Sequence, residues 1–365
     1  MNLLEDIKAK TKEFRKDSYP MSIGEIISIY NNDELIINPE FQRYFRWSGQ
    51  QKSKFIESIL LGIPTPSIFV YQREDGVWEL VDGLQRISTI LEFVGSLKDE
   101  NGNKKECLQL EGTKILPSLK GVMWEGAEDE EHNLSGSLKL DFKRAKIQIE
   151  IIQKESDINA KFEIFERLNT GGSFLSYQEV RNCLLIMIDR NVHSWLCSLA
   201  DNQDFQNCIS ISDRLSKERY DMELILRYIA CSHFPLNSKD VNEYLTDSLT
   251  SICQNPNFDL ESEKQKFDKL FSLLNQATGE GTFKKYDGER FKGQFLESAY
   301  EAITVGLGNN IDDYYDADFD DISILRDKVQ QIWSANDFTQ YSGSGSNAKS
   351  RIPRMVQFGI QHFQK

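Results

Sequence analysis

The sequence predicts an α+β chain, with a mixed α/β unit first and a unit built of helices after it. Three observations carry this. Up to Ile152, short apolar runs of strand length, bounded by Gly, Pro, Asn and Asp, are interleaved with helical patterns. From Ser156 onward the apolar spacing is helical and remains so. At Asp82-Gly83 a strand pattern passes straight into a helical one. The boundary is placed near residue 165, giving units 1–165 and 166–365, and a chain of 365 residues suits about two domains.

In the first unit, Ser22 and Glu25 have the spacing of a capping box before Ile26, Ile27 and Ile29, which predicts a helix. A short strand follows at Leu35-Ile36-Ile37, closed by Asn38-Pro39. Phe41 to Trp47 mixes aromatic residues with Arg43 and Arg46 in a loop position. Ser48 and Gln51 form a second capping box, for a helix that buries Phe55, Ile56, Ile59 and Leu60 and stops at Gly62. Ile68–Tyr71 and Val77–Val81 read as a hairpin joined across Asp75-Gly76, the dipeptide that suits a tight turn. Leu84, Ile87, Ile90, Leu91 and Val94 then recur at helical spacing. Gly95–Lys105 and the acid-rich stretch Glu125–Ser137 read as loops. Leu138–Ile152 alternates well enough for one long strand, its phase changing at a bulge near Ala145.

Across the boundary, Phe162, Phe165 and Leu168 predict a helix stopped by Asn169-Thr170-Gly171-Gly172. Ser176 and Glu179 cap another, and further helices pass through Met222, Ile225 and Ile229 and through Phe267 to Leu274, the last stopped by Gly279. The aspartates from Asp312 to Asp321 read as a solvated loop between helices, and the last residues, with Lys349, Arg351, Arg354 and Lys365, as a locally basic tail able to touch a partner or nucleic acid.

The bulk numbers exclude several classes. A net charge of −14 argues against a broad, non-specific nucleic-acid coat. The six cysteines form no C-x-x-C pair, which speaks against a zinc knuckle or a disulfide frame and suits free thiols in a reducing cytoplasm. No stretch approaches the ~18–20 apolar residues of a membrane helix, and Met1 to Met21 lacks the apolar centre of a signal peptide. A cytosolic protein is expected. His132, His193, His233 and His362 stand singly, without the company a His-Asn-His nuclease needs, whereas Asp141-Phe142-Lys143 makes an Asp-x-Lys triplet on the face of the expected strand.

The candidate site is the junction itself. A strand that enters a helix through a glycine aims unpaired N–H groups and the positive end of the helix dipole at one spot, which suits phosphate. Gly83 admits a ligand close to the backbone, Arg86 lies one turn on with a fork for phosphate oxygens, and Asp82 can orient water or hold a metal ion. The plain alternative is a helix cap, a turn glycine and an ordinary i,i+4 ion pair.

With these motifs placed, the chain resembles the GmrSD-type restriction-enzyme N-terminal family, also catalogued as domain of unknown function 262. The resemblance rests on Pro39 to Trp47, on Val81 to Arg86 and on Phe162 to Gly172, with further likeness at Ile115 to Leu119 and Asp221 to Ala230. It implies a ParB/sulfiredoxin-like fold for the first unit and a nucleotide-hydrolysing or nucleotide-sensing role in bacterial anti-phage defence. It also implies a nucleoside triphosphate and Mg²⁺ as cofactors, and a nuclease or other effector as partner, with DNA reached through that partner. Asp82, Gln85 and Arg86 are then the catalytic set, with Asp82 on the metal. Gln42, Arg43, Arg46, Gly83, Arg86, Asn169, Gly171 and Gly172 are the nucleotide-binding set. The oligomeric state is left open.

The usual Asp-Gly-Gln-Gln-Arg motif of the family has Leu84 here in place of its first glutamine. The register of Leu84 with Ile87 and Leu91 turns it toward the core. Sulfiredoxin-like enzymes carry a catalytic cysteine at that position, so sulfinic-acid repair is excluded; the Gly-Glu-Arg-Arg loop of ParB-like CTPases shares its glycine and last arginine with Gly83 and Arg86. The expected function is an NTP-dependent regulatory subunit of a restriction-like system. Two rivals stand beside it: a non-catalytic immunity or antitoxin-like module, which Leu84 favours, and a stand-alone nuclease using Asp82 and the basic segment Arg43 to Lys54.

Overall fold

A computed structural model describes residues 3, 16–37, 47–99, 102–126, 132–153, 176–236, 238, 240–314, 319–342 and 348–365. At the centre of its five-stranded sheet is the hairpin expected across Asp75-Gly76, formed by β3 (Ile68–Gln72) and β4 (Trp78–Asp82). Gly76 has φ 84, which only glycine adopts freely, and the Asp75 carboxylate accepts from the Val77 N–H at 3.1 Å. The remaining strands are β1 (Lys16–Ser22), β2 (Leu35–Ile36) and β5 (Lys146–Ile152), in the order β1-β5-β3-β4-β2. β1 is antiparallel to β5, β5 parallel to β3, and β4 parallel to β2.

One face of this sheet is apolar, with Ile68, Val70, Leu80, Ile147, Ile149 and Ile151 all buried. Three helices close over it in one hydrophobic cluster: α1 (Ile23–Asn31), α2 (Gly49–Leu60) and α3 (Leu84–Phe93). Their starts follow the local chemistry. Ser22 Oγ accepts from Glu25 N at 3.1 Å, and Ser48 with Gln51 makes the full reciprocal box. The first turn of α2 and the last turn of α3 are tied by Lys52 and Glu92 at 2.7 Å.

Two expectations for this unit are corrected. Leu138–Ile152 is no single strand, because Ser135 caps a helix, α4 (Gly136–Arg144), and only Lys146–Ile152 is extended. Ala145 is the break between them. Leu138 and Leu140 mimic the alternation of a strand but are 45% and 53% exposed; only Phe142 of α4 is buried. The Asp141-Phe142-Lys143 triplet therefore lies on a helix, with the Lys143 ammonium over the Trp124 ring at 5.7 Å, and gives no metal-binding strand face. The second correction is β1, which the sequence did not announce. It is an edge strand, where Pro20 costs no ladder hydrogen bond on the open side, and its only core residue is Met21.

The chain divides into two compact units, Met1–Phe174 and Leu175–Lys365. The second is helical: α5 (Tyr177–Ile188), α6 (Arg190–Ala200), α7 (Gln203–Ile209), α8 (Asp213–Lys217), α9 (Tyr220–His233), α10 (Val241–Gln254) and α11 (Leu260–Ala277) come first. A small hairpin follows, β6 (Lys285–Tyr286) with β7 (Phe291–Lys292), then α12 (Glu297–Asn309), α13 (Phe319–Gln331), α14 (Asn336–Thr339) and α15 (Ala348–His362). The Ser176/Glu179 box caps α5 as expected, and Phe267, Leu270, Phe271 and Leu274 of α11 are buried.

The charge features of this unit are spent internally. Asp312 and Asp313 lie in a 3-10 turn, and Asp320 and Asp321 occupy the first turn of α13, where carboxylates favour a helix start. The basic tail is the helix α15. Its Arg351 donates to Glu301 Oε1 at 2.8 Å and to Glu297 Oε2 at 3.0 Å, Arg354 lies over the Tyr341 ring, and Lys365 pairs with Asp321 at 2.7 Å. Arg227, buried on α9, donates to Glu301 at 2.9 Å and to Glu223 and Glu297 at 3.2 Å, and Glu223 also holds the buried Arg181 of α5.

Candidate functional site

β4 ends at Asp82, Gly83 turns the chain, and α3 begins at Leu84. Gly83 adopts φ 100, ψ 17, a left-handed conformation in which a side chain is strained, and a Cβ there would lie 2.9 Å from Ile68 Cγ1. The same missing Cβ leaves room for the Arg86 guanidinium, whose NH2 would be 3.4 Å away. Gly83, the N-cap of α3, has no side chain to cap the helix, and an uncapped helix start suits an anion.

Arg86 folds back over this start. Its NH2 donates to Asp82 Oδ2 at 2.6 Å, with the arginine side chain 12% and the aspartate 34% exposed. The cation is thus held in place by a partner that stays open to water. Leu84 is half-buried and packs against the core cluster, in line with its register. Ile87, Ile90 and Leu91 are fully buried and fix α3 rigidly behind the junction.

Gln85 plays a part that the sequence did not reveal. Its Oε1 accepts from the Trp47 backbone N–H at 3.1 Å, and Trp47 packs edge-on against Phe55 with centroids 5.5 Å apart. The end of the Phe41–Trp47 segment is therefore fastened to the candidate site, one residue past Arg46. Gln42, Arg43 and Arg46, and likewise Asn169, Gly171 and Gly172 with the helix expected through Phe162 to Leu168, lie outside the described residues. Residues 23–186 match the profile of the GmrSD restriction endonuclease N-terminal domain. Across this segment, a little under half of the chain, the protein is similar to the GmrSD N-terminal family. No curated protein matches the chain.

The family segment contains the junction and both of the other motif stretches, and it ends within α5. The match sets this segment in the context of a restriction system. Whether the residues suit the cofactors implied by a GmrSD-type domain is a question of donors. A phosphate fits: a glycine whose Cβ would clash, an uncapped helix start and a positioned guanidinium surround one spot. Magnesium carried by phosphates needs only one or two protein carboxylates, and Asp82 suits that role. Among the described residues no three His, Cys, Asp or Glu side chains converge.

Three of the four histidines serve the local fold. His233 pairs with Glu263 at 2.9 Å and His362 bonds the Lys328 carbonyl at 2.8 Å, while His193 is buried on α6. All six cysteines are free thiols, Cys183 and Cys208 buried and the rest half-buried. No helix among the described residues is long and apolar enough to cross a membrane.

Proposed function

We propose that the GmrSD-type domain binds a magnesium nucleoside triphosphate at the β4–α3 junction and hydrolyses it, as the regulatory subunit of a restriction-like defence system whose DNA cleavage belongs to a separate nuclease or effector. One observation carries the reading. Gly83, in a conformation that excludes a side chain, brings an uncapped helix start and the anchored Arg86 fork to one spot. The N–H groups of the first turn and Arg86 take the phosphates. Asp82 releases part of its hold on Arg86 to a water or to the phosphate-borne magnesium. Gln85 keeps Trp47 in place, and Gln42, Arg43 and Arg46 of the preceding segment add to the binding of the triphosphate. The helical unit passes the nucleotide state to the partner.

A second reading is favoured by the closed Asp82–Arg86 pair, in which both charges already have a partner. In it the junction is structural and the protein is a non-catalytic interaction module.

Calorimetric titration with ATP, GTP, CTP and UTP in Mg²⁺, followed by phosphate release, separates the two for wild type and Arg86→Ala. Magnesium-dependent binding and turnover of at least one nucleotide, both lost in a folded Arg86→Ala protein, is the expected result. Magnesium-dependent binding or turnover that survives in that variant overturns the site, and no magnesium-dependent binding of any of the four gives the lead to the interaction module.

A further inference from the structure

A second concave site lies wholly within the helical unit. It is a cavity of about 540 Å³, inside the range of ~300–1,000 Å³ usual for small-ligand pockets. The β6–β7 hairpin lines one side with Lys285, Tyr286 and Asp287, and the end of α13 with the turn after it lines the other with Gln330, Gln331 and Trp333.

The charge in this pocket is not balanced. Lys292, also in its wall, lies 2.7 Å from Asp287 Oδ2. That ammonium, helped by the Arg290 and Glu289 N–H groups, holds the Asp287 carboxyl well below the usual carboxylate range. This pair cancels. Lys285 makes no ion pair among the described residues, so the pocket presents one uncompensated cation on a chain of net charge −14. An acidic protein that keeps a cationic hollow selects an anion there.

The rest of the wall narrows the class. Tyr286 is held by Phe291, with centroids 5.0 Å apart, and Trp333 by Phe338 at 5.1 Å and 87°, so both rings are fixed from behind. The Trp333 indole nitrogen is buried without a hydrogen-bond partner among the described residues. Two side-chain amides stand across from the hairpin. Rings that stack on a planar π-face, amides that pair with its polar edge and a lysine for an attached phosphate are what a nucleotide requires.

We propose that this pocket binds one nucleotide unit, its base against Tyr286 and Trp333, its edge on Gln330 and Gln331, and its phosphate on Lys285. A free mononucleotide and one residue of a single strand present the same unit. The site is independent of the junction at Gly83, which lies in the other unit.

The test is calorimetric titration of the full chain with AMP, ribose 5-phosphate and an eight-nucleotide thymidine strand. Wild type, Arg86→Ala, Lys285→Glu and Gln331→Ala are compared; Lys285 and Gln331 are exposed, so their variants fold. AMP or the strand should bind wild type and Arg86→Ala alike and lose about tenfold or more in Lys285→Glu, with a smaller loss in Gln331→Ala. AMP binding alone identifies a free nucleotide as the occupant, and strand binding that AMP cannot match identifies the strand. The proposal is overturned if neither binds, if ribose 5-phosphate binds as well as AMP, or if Lys285→Glu binds like wild type.

Discussion

The Arg86 guanidinium donates to the Asp82 carboxylate at 2.6 Å across a single turn, with Gly83 between them and the arginine the more buried partner. The pair places a cation at the start of α3 and leaves the carboxylate toward solvent. In Asp82→Asn the amide oxygen still accepts from Arg86, but the charge is gone. Nucleotide affinity should hold or rise, because the guanidinium no longer shares its charge with a carboxylate. Phosphate release should fall by about 100-fold, the usual scale for losing a group that positions or deprotonates water. Calorimetry and a phosphate-release assay on the same protein measure both, and unchanged turnover would remove Asp82 from the chemistry.

Leu84 tests how the departure from the family motif is tolerated. It packs at the edge of the core, so Leu84→Gln should cost about 1 kcal/mol, roughly half the value of a fully buried leucine. Nucleotide affinity should not change. Urea unfolding reads the first and calorimetry the second; a marked gain in affinity would mean that glutamine there reaches the ligand.

Gly83→Ala probes the turn itself. The new Cβ meets Ile68 Cγ1 at 2.9 Å and the backbone sits at φ 100, so a loss of about 1–3 kcal/mol is expected. Gly62→Ala, at φ 69 with nothing near its Cβ, carries the conformational cost alone and should lose less. Equal losses in urea unfolding would show that contact with Ile68 does not matter.

Acid should weaken the helical unit in two steps. Burial, with the nearby Lys328 ammonium, lowers the His362 pKa from 6.5 against the opposing bond to the Lys328 carbonyl. A ring that resists protonation when folded stabilises fully above 6.5, and that contribution is lost as pH falls below it. Burial raises the Glu297 pKa, but Arg227, the Tyr220 hydroxyl and Arg351 outweigh it, so the carboxyl stays below 4.5. Its contribution is present above 4.5 and lost below. Urea midpoints from about pH 7.5 to about pH 3.5, bounds that are roughly one unit outside the ordinary values, should therefore decline first with His362 and then with Glu297. His362→Phe should flatten the first decline and Glu297→Gln should reduce the second; a variant that follows the wild-type curve refutes its assignment.

What could be read from the sequence was local, and what could not was long-range or disguised. Ser48 with Gln51, Ser176 with Glu179 and Asp75-Gly76 fixed their elements because the capping and turn bonds join residues three or fewer apart. The junction was legible for the same reason, since Asp82, Gly83 and Arg86 act within one turn. The bond from Trp47 to Gln85 spans 38 residues and joins a backbone N–H to an amide, which leaves no mark in charge or hydropathy. β1 was hidden because its pairing from Lys16 to Ile152 is distant and its inward residues few. The helix α4 was disguised by Leu138 and Leu140, apolar residues that happen to face water.

A close approach of two helices, α12 and α15, gives the sharpest stability prediction. α12 and α15 meet through glycines, and a Cβ at Gly359 would lie 2.0 Å from the Ala302 carbonyl oxygen, while one at Gly306 would lie 2.5 Å from the Gly359 carbonyl carbon. These obstacles are backbone, so no rotamer change relieves them and the helices must separate. Separation would strip packing from Ile303, Ile352 and Met355, all buried at this interface or beside it. Gly359→Ala should cost about 3–5 kcal/mol, the upper range for single substitutions, and lower Tm by about 10 °C for a unit of this size. Gly308→Ala meets only the end of the Tyr228 side chain at 2.8 Å and should lose about 1–2 kcal/mol by shifting that ring. Thermal unfolding of the two variants beside wild type measures the difference, and a Gly359→Ala protein that melts with wild type would show that α12 and α15 do not touch as closely as described.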